Sequence, residues 1–186
     1  MDGSFVEFGS MPTPAEESAP KMFQLLQDVT DGFTTVEIIK NNPGFAFKGR
    51  DIDSLWENLQ SERYRTESRK LKVHYLYGDT GTGKTRGIFA KHPAAEICRL
   101  TDCGGRTGLR FDAYHGQKVL VFEEFHSQIP IEAMLNYLDV YPLMLPARYN
   151  DRVACYTVVY TTSNIPLDEQ YQDIQRYKLE TWRAFL

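Results

Sequence analysis

The sequence predicts an α/β domain with a central, mostly parallel β-sheet, preceded by a small helical module. Apolar runs recur from Leu71 onwards, and segments with helical spacing separate them. These runs are close to continuously hydrophobic, which is typical of parallel strands that are covered on both faces. Before Leu71 the apolar residues follow helical spacing instead.

Length and composition are those of one compact domain with some additional chain. The 186 residues are 42% hydrophobic and 25% charged, which suffices for a sizeable core. The net charge of −4 provides no global positive field that would advertise nucleic-acid binding. No apolar run is long enough to span a membrane, and no basic segment precedes an apolar stretch at the N-terminus. We therefore expect neither membrane insertion nor secretion.

The chain before the sheet divides into two predicted parts. Residues 1–20 are rich in Gly, Ser, Pro and Glu, so we expect a flexible arm or the remnant of a linker. Residues 21–68 form the helical module, in which the charged run 63–70 is interpreted as a solvated hinge, with nucleic-acid binding as the alternative. Three helices are predicted there, with starts at Lys21, at Thr34 or Thr35, and at Phe47.

Residues 69–186 form the predicted α/β domain, which we expect to be incomplete at its C-terminal end. Its two predicted helices are TRGIFAKH, ended by Pro93, and PIEAMLNYLDVYP. Its predicted strands are KVHYLYG, EICRL, KVLVFEEF and ACYTVVYTTSN. Cys98 and Cys155 lie in two of these apolar runs, and Cys103 forms no CxxC pair, so buried structural thiols are favoured over a metal or redox site.

The strongest motif lies between the first strand and the helix that follows it, and it matches the pattern GxxxxGK[ST]. Glycines let backbone N–H groups turn towards phosphates, and the helix N-terminus adds positive potential. Lys84 can reach the β- and γ-phosphates, and Thr85 can ligate Mg²⁺ through its hydroxyl. The strand–loop–helix context disfavours an incidental glycine-rich turn, so the motif predicts a P-loop that binds ATP with Mg²⁺. The nucleotide-binding residues are Gly78, Asp79, Thr80, Gly81, Thr82, Gly83, Lys84 and Thr85.

Two acids, Glu123 and Glu124, end the apolar strand VLVF. In a parallel sheet the carboxyl end of a strand faces the ligand. We assign Glu123 to Mg²⁺, usually through water, and Glu124 to the base that orients or deprotonates the attacking water, although the order could be reversed. Paired acids after a strand are commonly only solvated, but the P-loop in the same chain favours a functional pair.

A polar ending follows the last predicted strand, where Ser163 precedes Asn164. An amide there can hydrogen-bond the γ-phosphate and the attacking water, so Asn164 is a candidate catalytic sensor together with Lys84 and Glu124. The alternative is an ordinary strand-to-turn ending, because Ser and Asn favour turns.

The segments GDTGTGKT, VLVFEEF and VVYTTSNIPLDEQY resemble the Walker A, Walker B and motif C elements of the superfamily 3 helicase domain, an AAA+-like P-loop NTPase. In particular they resemble replication initiators (Rep) of circovirus-like single-stranded DNA viruses and related plasmids, over about residues 20–186. The resemblance implies an ATP-hydrolysing helicase or translocase on single-stranded DNA in rolling-circle replication. It also implies a homo-oligomer, usually a hexameric ring, in the host nucleus if viral or in the cytoplasm if plasmid-encoded.

The resemblance further implies a hairpin at about Leu145 to Val153 that projects into the ring channel and grips DNA. Arg148, Tyr149 and Arg152 would make the contacts. Two arginines around an aromatic residue can pair with phosphate and stack on a base. The alternative is a surface turn with exposed charges.

Three departures from the family limit what the resemblance implies. The histidines form no His-hydrophobic-His motif, so we expect no strand nicking from these residues. Arg176 or Arg183 could act as the arginine finger, but neither has a recognisable context. Walker B has Glu-Glu where many relatives have Asp-Asp or Asp-Glu. The alternatives to a motor are a non-catalytic nucleotide- and nucleic-acid-binding module or an RNA-directed viral helicase, while a small-molecule kinase is disfavoured.

Overall fold

The computed structural model describes residues 14–103, 108–148 and 150–172 of the chain. The chain divides into two compact units, Met1–Leu59 and Gln60–Leu186. Among the described residues, no helix combines the length and the apolar composition that crossing a membrane requires.

Helices make up the described part of the first unit, and the last of them continues past the unit boundary. Thr34 caps the second helix, because its hydroxyl accepts from the Glu37 backbone N–H at 3.3 Å while the Glu37 carboxylate accepts from the Thr34 N–H at 2.8 Å. The helices are α1 Pro14–Thr30, α2 Thr35–Asn41 and α3 Gly49–Thr66, with a 3₁₀ turn at Pro43–Phe45. Their buried core side chains are Leu25, Val29, Ile38, Phe45 and Ile52.

Helix α1 begins at Pro14 rather than at the predicted Lys21, and it runs through Pro20. Proline lacks an N–H and disfavours helical backbone in the residue before it, so the sequence favours a boundary at that point. Leu25 and Val29 of α1 are buried in the core of the unit. This packing anchors the second half of α1, and the first half extends it.

Among the described residues of the second unit, the strands of the main sheet are all parallel. They are β1 Lys72–Tyr77, β2 Ile97–Leu100, β3 Val119–Phe122 and β6 Val158–Ser163. The order across the sheet is β1-β6-β3-β2. An α/β fold with a parallel sheet preceded by helices is therefore confirmed. The other elements are α4 Lys84–Lys91, α5 Ile131–Leu138, β4 Met144–Leu145, β5 Arg152–Val153 and 3₁₀ turns at Ala94–Glu96 and Leu167–Glu169.

Strand β6 lies between β1 and β3. Thr161 of β6 is opposite Tyr75 on one side and opposite Phe122 on the other. Because all four strands are parallel, their carboxyl ends meet at one edge of the sheet, where ligands of such folds bind. The loops that follow β1, β3 and β6 therefore start next to one another.

Both faces of the sheet are covered. Leu120 and Phe122 of β3 pack into the larger core, whereas Val119 and Val121 pack into a second cluster with Ile88 of α4. Successive side chains of a strand point to opposite faces. This double burial explains why β3 is apolar at every position.

The buried segment before β6 is not a strand, although the predicted strand starts at Ala154. Strand β6 starts at Val158. The Tyr114 hydroxyl accepts from the Cys155 N–H at 2.9 Å, and the Leu143 carbonyl accepts from the Ala154 N–H at 2.9 Å. These partners satisfy the backbone without a neighbouring strand.

All three cysteines are buried, as predicted for Cys98 and Cys155 from their apolar runs. Burial raises the pKa of the Cys98 thiol to about 11 and that of the Cys103 thiol to about 11. These two thiols remain protonated at neutral pH and are therefore poor nucleophiles and metal ligands.

Arg69 is the buried exception in the predicted solvated hinge at 63–70, where most of the other side chains are exposed. Helix α3 continues to Thr66, and Arg69 is only 2% exposed. Its Nη2 donates to the Asp139 carbonyl at 2.5 Å, and its guanidinium carbon lies 4.4 Å from the ring centre of Tyr156. A cation is favourable beside the carbonyls that end a helix and over an aromatic face. Arg69 therefore stabilises the C-terminal end of α5.

Candidate functional site

The predicted P-loop, residues 78–85, runs from the end of β1 into α4 at the carboxyl edge of the sheet. Gly81 and Gly83 have φ angles of 87° and 84°, which side chains with a Cβ rarely adopt. A Cβ would meet no atom within 4 Å at either position, so backbone conformation and not lack of space requires glycine. Gly83 is the N-cap of α4 and has no side chain that could accept from the first N–H groups. The first N–H groups of α4 can therefore donate to an anion.

The ammonium group of Lys84 contacts the start of this loop and the side chain of Asn164. It donates to the carbonyls of Gly78 at 2.5 Å and Asp79 at 3.1 Å, and to Oδ1 of Asn164 at 3.1 Å. Asn164 follows β6, the strand next to β1, so the sheet order brings the lysine and the amide together. The Asn164 Nδ2 donates to the Thr80 hydroxyl at 3.3 Å. Both ends of the amide are therefore held by the P-loop.

Glu123 is the buried acid at the end of β3, with 8% exposure. The Thr85 hydroxyl donates to its Oε1 at 3.1 Å. Arg99 of β2 donates two hydrogen bonds to the same carboxylate, from Nε to Oε1 at 3.1 Å and from Nη2 to Oε2 at 2.5 Å. The hydrogen bond to Glu123 raises the pKa of the Arg99 guanidinium. The sequence did not single out Arg99, whose place beside β3 follows from the strand register, in which it is opposite Val121.

Glu124 differs from Glu123 because its side chain is exposed. Its φ angle is 49°, which is unusual and costly for a residue with a side chain. Its backbone N–H donates to the Thr162 hydroxyl on β6 at 3.3 Å. The two acids therefore have distinct surroundings, one held by partners and the other open to solvent at the strained exit of β3.

A buried amide, Gln170, joins several segments beneath this site and is 4% exposed. Its Nε2 donates to the Tyr75 hydroxyl at 2.8 Å and to the Ser163 hydroxyl at 3.1 Å. Its Oε1 accepts from the Ser127 hydroxyl at 2.6 Å. Buried polar groups that are fully bonded in this way rigidify the segments they connect.

This network fixes the two loops that carry the predicted catalytic residues. The Ser163 hydroxyl donates to the Phe125 carbonyl at 2.6 Å. Ser163 immediately precedes Asn164, and Phe125 immediately follows Glu124. Gln170 was not predicted, because no local pattern marks an amide that acts through contacts distant in sequence.

Strands β4 and β5 pair antiparallel and form a hairpin where one was expected. Arg148 lies between them with a side chain 66% exposed, and its Nε lies 3.9 Å from the carboxylate of Asp112. Arg152 is half-buried in β5. Tyr149 lies outside the described residues, as do Arg176 and Arg183. The nucleic-acid contacts and the arginine finger therefore stay predictions.

The Thr85 and Glu123 side chains fit a magnesium ion. Their oxygens lie 3.1 Å apart, and hydroxyl and carboxylate oxygens are ligands that Mg²⁺ prefers. In nucleotide sites Mg²⁺ is commonly held by one or two protein ligands, with phosphates and water completing the octahedron. Within the part of the chain that is described, no cluster of three or more His, Cys, Asp or Glu residues could hold a metal ion.

Comparison with known proteins places the chain near viral replication proteins. No family model matches it. The "Replication-associated protein" of Goose circovirus is 28% identical over 143 residues, which are 76% of this chain and 46% of that protein. The "Replication-associated protein" of Beak and feather disease virus is 27% identical over 104 residues, 56% of this chain and 34% of that protein. The chain thus spans less than half the length of either relative, and it is distantly similar, over most of its own length, to circovirus replication-associated proteins.

Proposed function

We propose that the chain is the ATP-driven motor part of a replication initiator, which hydrolyses ATP to move along or unwind single-stranded DNA in rolling-circle replication. One observation carries the proposal. Residues predicted from three separate motifs meet in contacts at one sheet edge, where Lys84 bonds Asn164 and the adjacent Thr85 bonds Glu123. The likeness to circovirus replication-associated proteins supports the replication setting.

Binding of the triphosphate follows from the P-loop geometry. Lys84 is now bonded to neutral backbone carbonyls and an amide oxygen. A phosphate oxyanion is a stronger acceptor for an ammonium group, so the lysine is expected to exchange partners when ATP binds. The loop glycines and the start of α4 supply N–H donors to the same anion.

Separate roles in ATP hydrolysis are assigned to Thr85 and to the residues that follow β3 and β6. Thr85 and Glu123 hold the magnesium ion, which when bound neutralises charge on the β- and γ-phosphates. The exposed Glu124 orients the attacking water and accepts its proton. Asn164 supplies an amide donor to charge that develops on the γ-phosphate.

The hairpin and the oligomer provide the coupling to nucleic acid. Arg148 and Arg152, with Tyr149 between them in sequence, contact the phosphates and a base of the strand. A homo-oligomeric ring, of hexameric type, places one hairpin per subunit in the channel, and an arginine finger (Arg176 or Arg183) completes the site of a neighbour. The host nucleus is the compartment that a circovirus-like setting implies.

The experiment measures ATP turnover by the chain with and without single-stranded DNA, and with a matched RNA strand. We expect turnover that rises with DNA and is lost in Lys84→Ala. Lys118→Ala is the matched control, because Lys118 pairs with Glu96 at 3.5 Å before the strands begin and lies outside the proposed site. ATP binding without turnover would contradict the proposed motor function and favour a non-catalytic binding module. Stronger stimulation of turnover by RNA than by DNA would identify RNA as the nucleic acid on which the chain acts.

A further inference from the structure

Arg99 has no part in the motifs that predict the nucleotide site, yet it binds one of the site's acids by both oxygens. The two contacts are 3.1 Å and 2.5 Å long. A guanidinium fork matched to a carboxylate is among the stronger ion pairs. The Glu123 side chain is 10% exposed, whereas the Arg99 side chain is 44% exposed. Loss of the pair would therefore leave Glu123 as an uncompensated buried charge, which is costly. The Arg99 guanidinium, in contrast, can be solvated by water.

The side chain of Arg99 lies on the face of the sheet that α4 covers. Ile97, two positions earlier in β2, packs with Ile88 of α4, and alternate residues of a strand share a face. The guanidinium carbon of Arg99 lies 5.7 Å from the ring centre of Phe89 on α4. Arg99 is thus placed between α4 and Glu123.

The magnesium role of Glu123 conflicts with this ion pair. The Thr85 hydroxyl contacts the same Oε1 that receives the Arg99 Nε–H. A magnesium ion held by Thr85 and Glu123 draws on carboxylate lone pairs that Arg99 now uses. It also brings positive charge close to the guanidinium, which repels it.

We propose that Arg99 is a positioning residue that pairs with Glu123 and is displaced from it when Mg²⁺ arrives with the nucleotide. Arg99 compensates the buried acid until the metal does so, and it thereby sets how strongly nucleotide binding depends on Mg²⁺. This inference rests on the proposed function, since it requires ATP and Mg²⁺ to bind at this site.

Removal of Arg99 is expected to make ATP affinity depend more strongly on Mg²⁺. Without Mg²⁺, Arg99→Ala leaves the Glu123 charge uncompensated near the triphosphate, so ATP binds more weakly. With Mg²⁺, the metal no longer has to displace the arginine, so it adds more affinity. The ratio of the Kd without Mg²⁺ to the Kd with Mg²⁺ should rise about threefold or more. Arg99→Lys, which keeps the charge without the fork, should fall between.

The test is calorimetric titration of ATP into the whole chain, in EDTA and over a series of Mg²⁺ concentrations. Lys118→Ala removes a cation from an ion pair at the opposite ends of the same two strands and should leave the ratio unchanged. Glu123→Gln should lose most of the gain from Mg²⁺. If Arg99→Ala folds poorly in thermal melts, Arg99→Lys carries the test, with a raised ratio as its expected result.

Two negative outcomes are distinguishable. Wild-type binding of Mg²⁺–ATP with an unchanged ratio in the Arg99 variants overturns the inference and leaves the proposed function standing. Failure of the wild-type chain to bind ATP under any condition overturns both.

Discussion

At the scale of single residues, a variant of Asn164 tests whether its proposed role lies in ATP hydrolysis or in ATP binding. Its Oδ1 accepts from Lys84 at 3.1 Å, its Nδ2 donates to Thr80 at 3.3 Å, and its side chain is exposed. Because no core packing is lost, Asn164→Ala should leave the fold intact. We expect kcat for ATP hydrolysis to fall about 10²-fold, as for loss of one donor to developing charge, while the Kd for ATP changes only severalfold.

Steady-state kinetics and direct ATP titration of the same protein check this prediction. Asn58→Ala, at an exposed position of α3, is the matched control. An unchanged kcat would remove Asn164 from the chemistry. An affinity loss as large as the loss in kcat would make it a binding residue instead.

At the scale of elements, Gln170 couples the loops that follow β3 and β6. Gln170→Leu keeps a similar volume but removes bonds to Tyr75, Ser163 and Ser127, so one buried and two half-buried hydroxyls lose a partner. We expect kcat to fall about tenfold with little change in KM, because the two loops lose their common anchor. The free energy of unfolding should fall by about 1–3 kcal/mol.

A comparably destabilised variant distinguishes coupling from general loss of stability. Tyr156→Phe removes one buried hydrogen bond, to the Tyr137 carbonyl at 2.7 Å, away from these loops. Chemical unfolding and kinetics are measured on both variants, and on Gln170→Glu, which retains the acceptor for Ser127. Equal kcat values for Gln170→Leu and Tyr156→Phe would show that Gln170 contributes stability alone.

The elements themselves were largely predictable, because apolar runs and helical spacing are local properties of the chain. Strand β3 is an example, since burial on both faces makes every one of its positions apolar. Contacts between distant segments were not predictable in this way. From the sequence alone, Arg69 and Arg99 each resemble a solvated surface charge. Their partners follow only from the packing of α5 near Arg69 and from the register of β2 with β3. The motif residues of the candidate site could be predicted, but the partners that hold them could not.

At the scale of the whole molecule, buried thiol and phenol groups make the free energy of unfolding fall at alkaline pH. Burial raises the pKa of Cys98 and of Cys103 from 9.0 to about 11, and burial raises the pKa of Tyr156 from 10.0 to about 12. The unfolded chain therefore releases these protons at lower pH than the folded chain does. Their contribution is fully present below pH 9 and is lost as the pH rises through the raised values, by up to about 1.4 kcal/mol per pH unit for each group.

Urea unfolding at a series of pH values from 8 to about 11 measures this loss. Cys98→Ala removes one group and should flatten the curve above pH 9, relative to its own stability at pH 8. A free energy of unfolding that stays constant from pH 9 to about 11 would contradict the burial of these groups.

The central claim is that the loop of residues 78–85 binds Mg²⁺–ATP, and calorimetric titration of ATP in excess Mg²⁺ tests it most directly. The account predicts saturable binding of one nucleotide per chain by the wild-type protein and by Lys118→Ala. It predicts binding at least about tenfold weaker in Lys84→Ala, because the charge-assisted contacts to phosphate are lost. Absence of saturable binding, or equal affinity in Lys84→Ala, would contradict it.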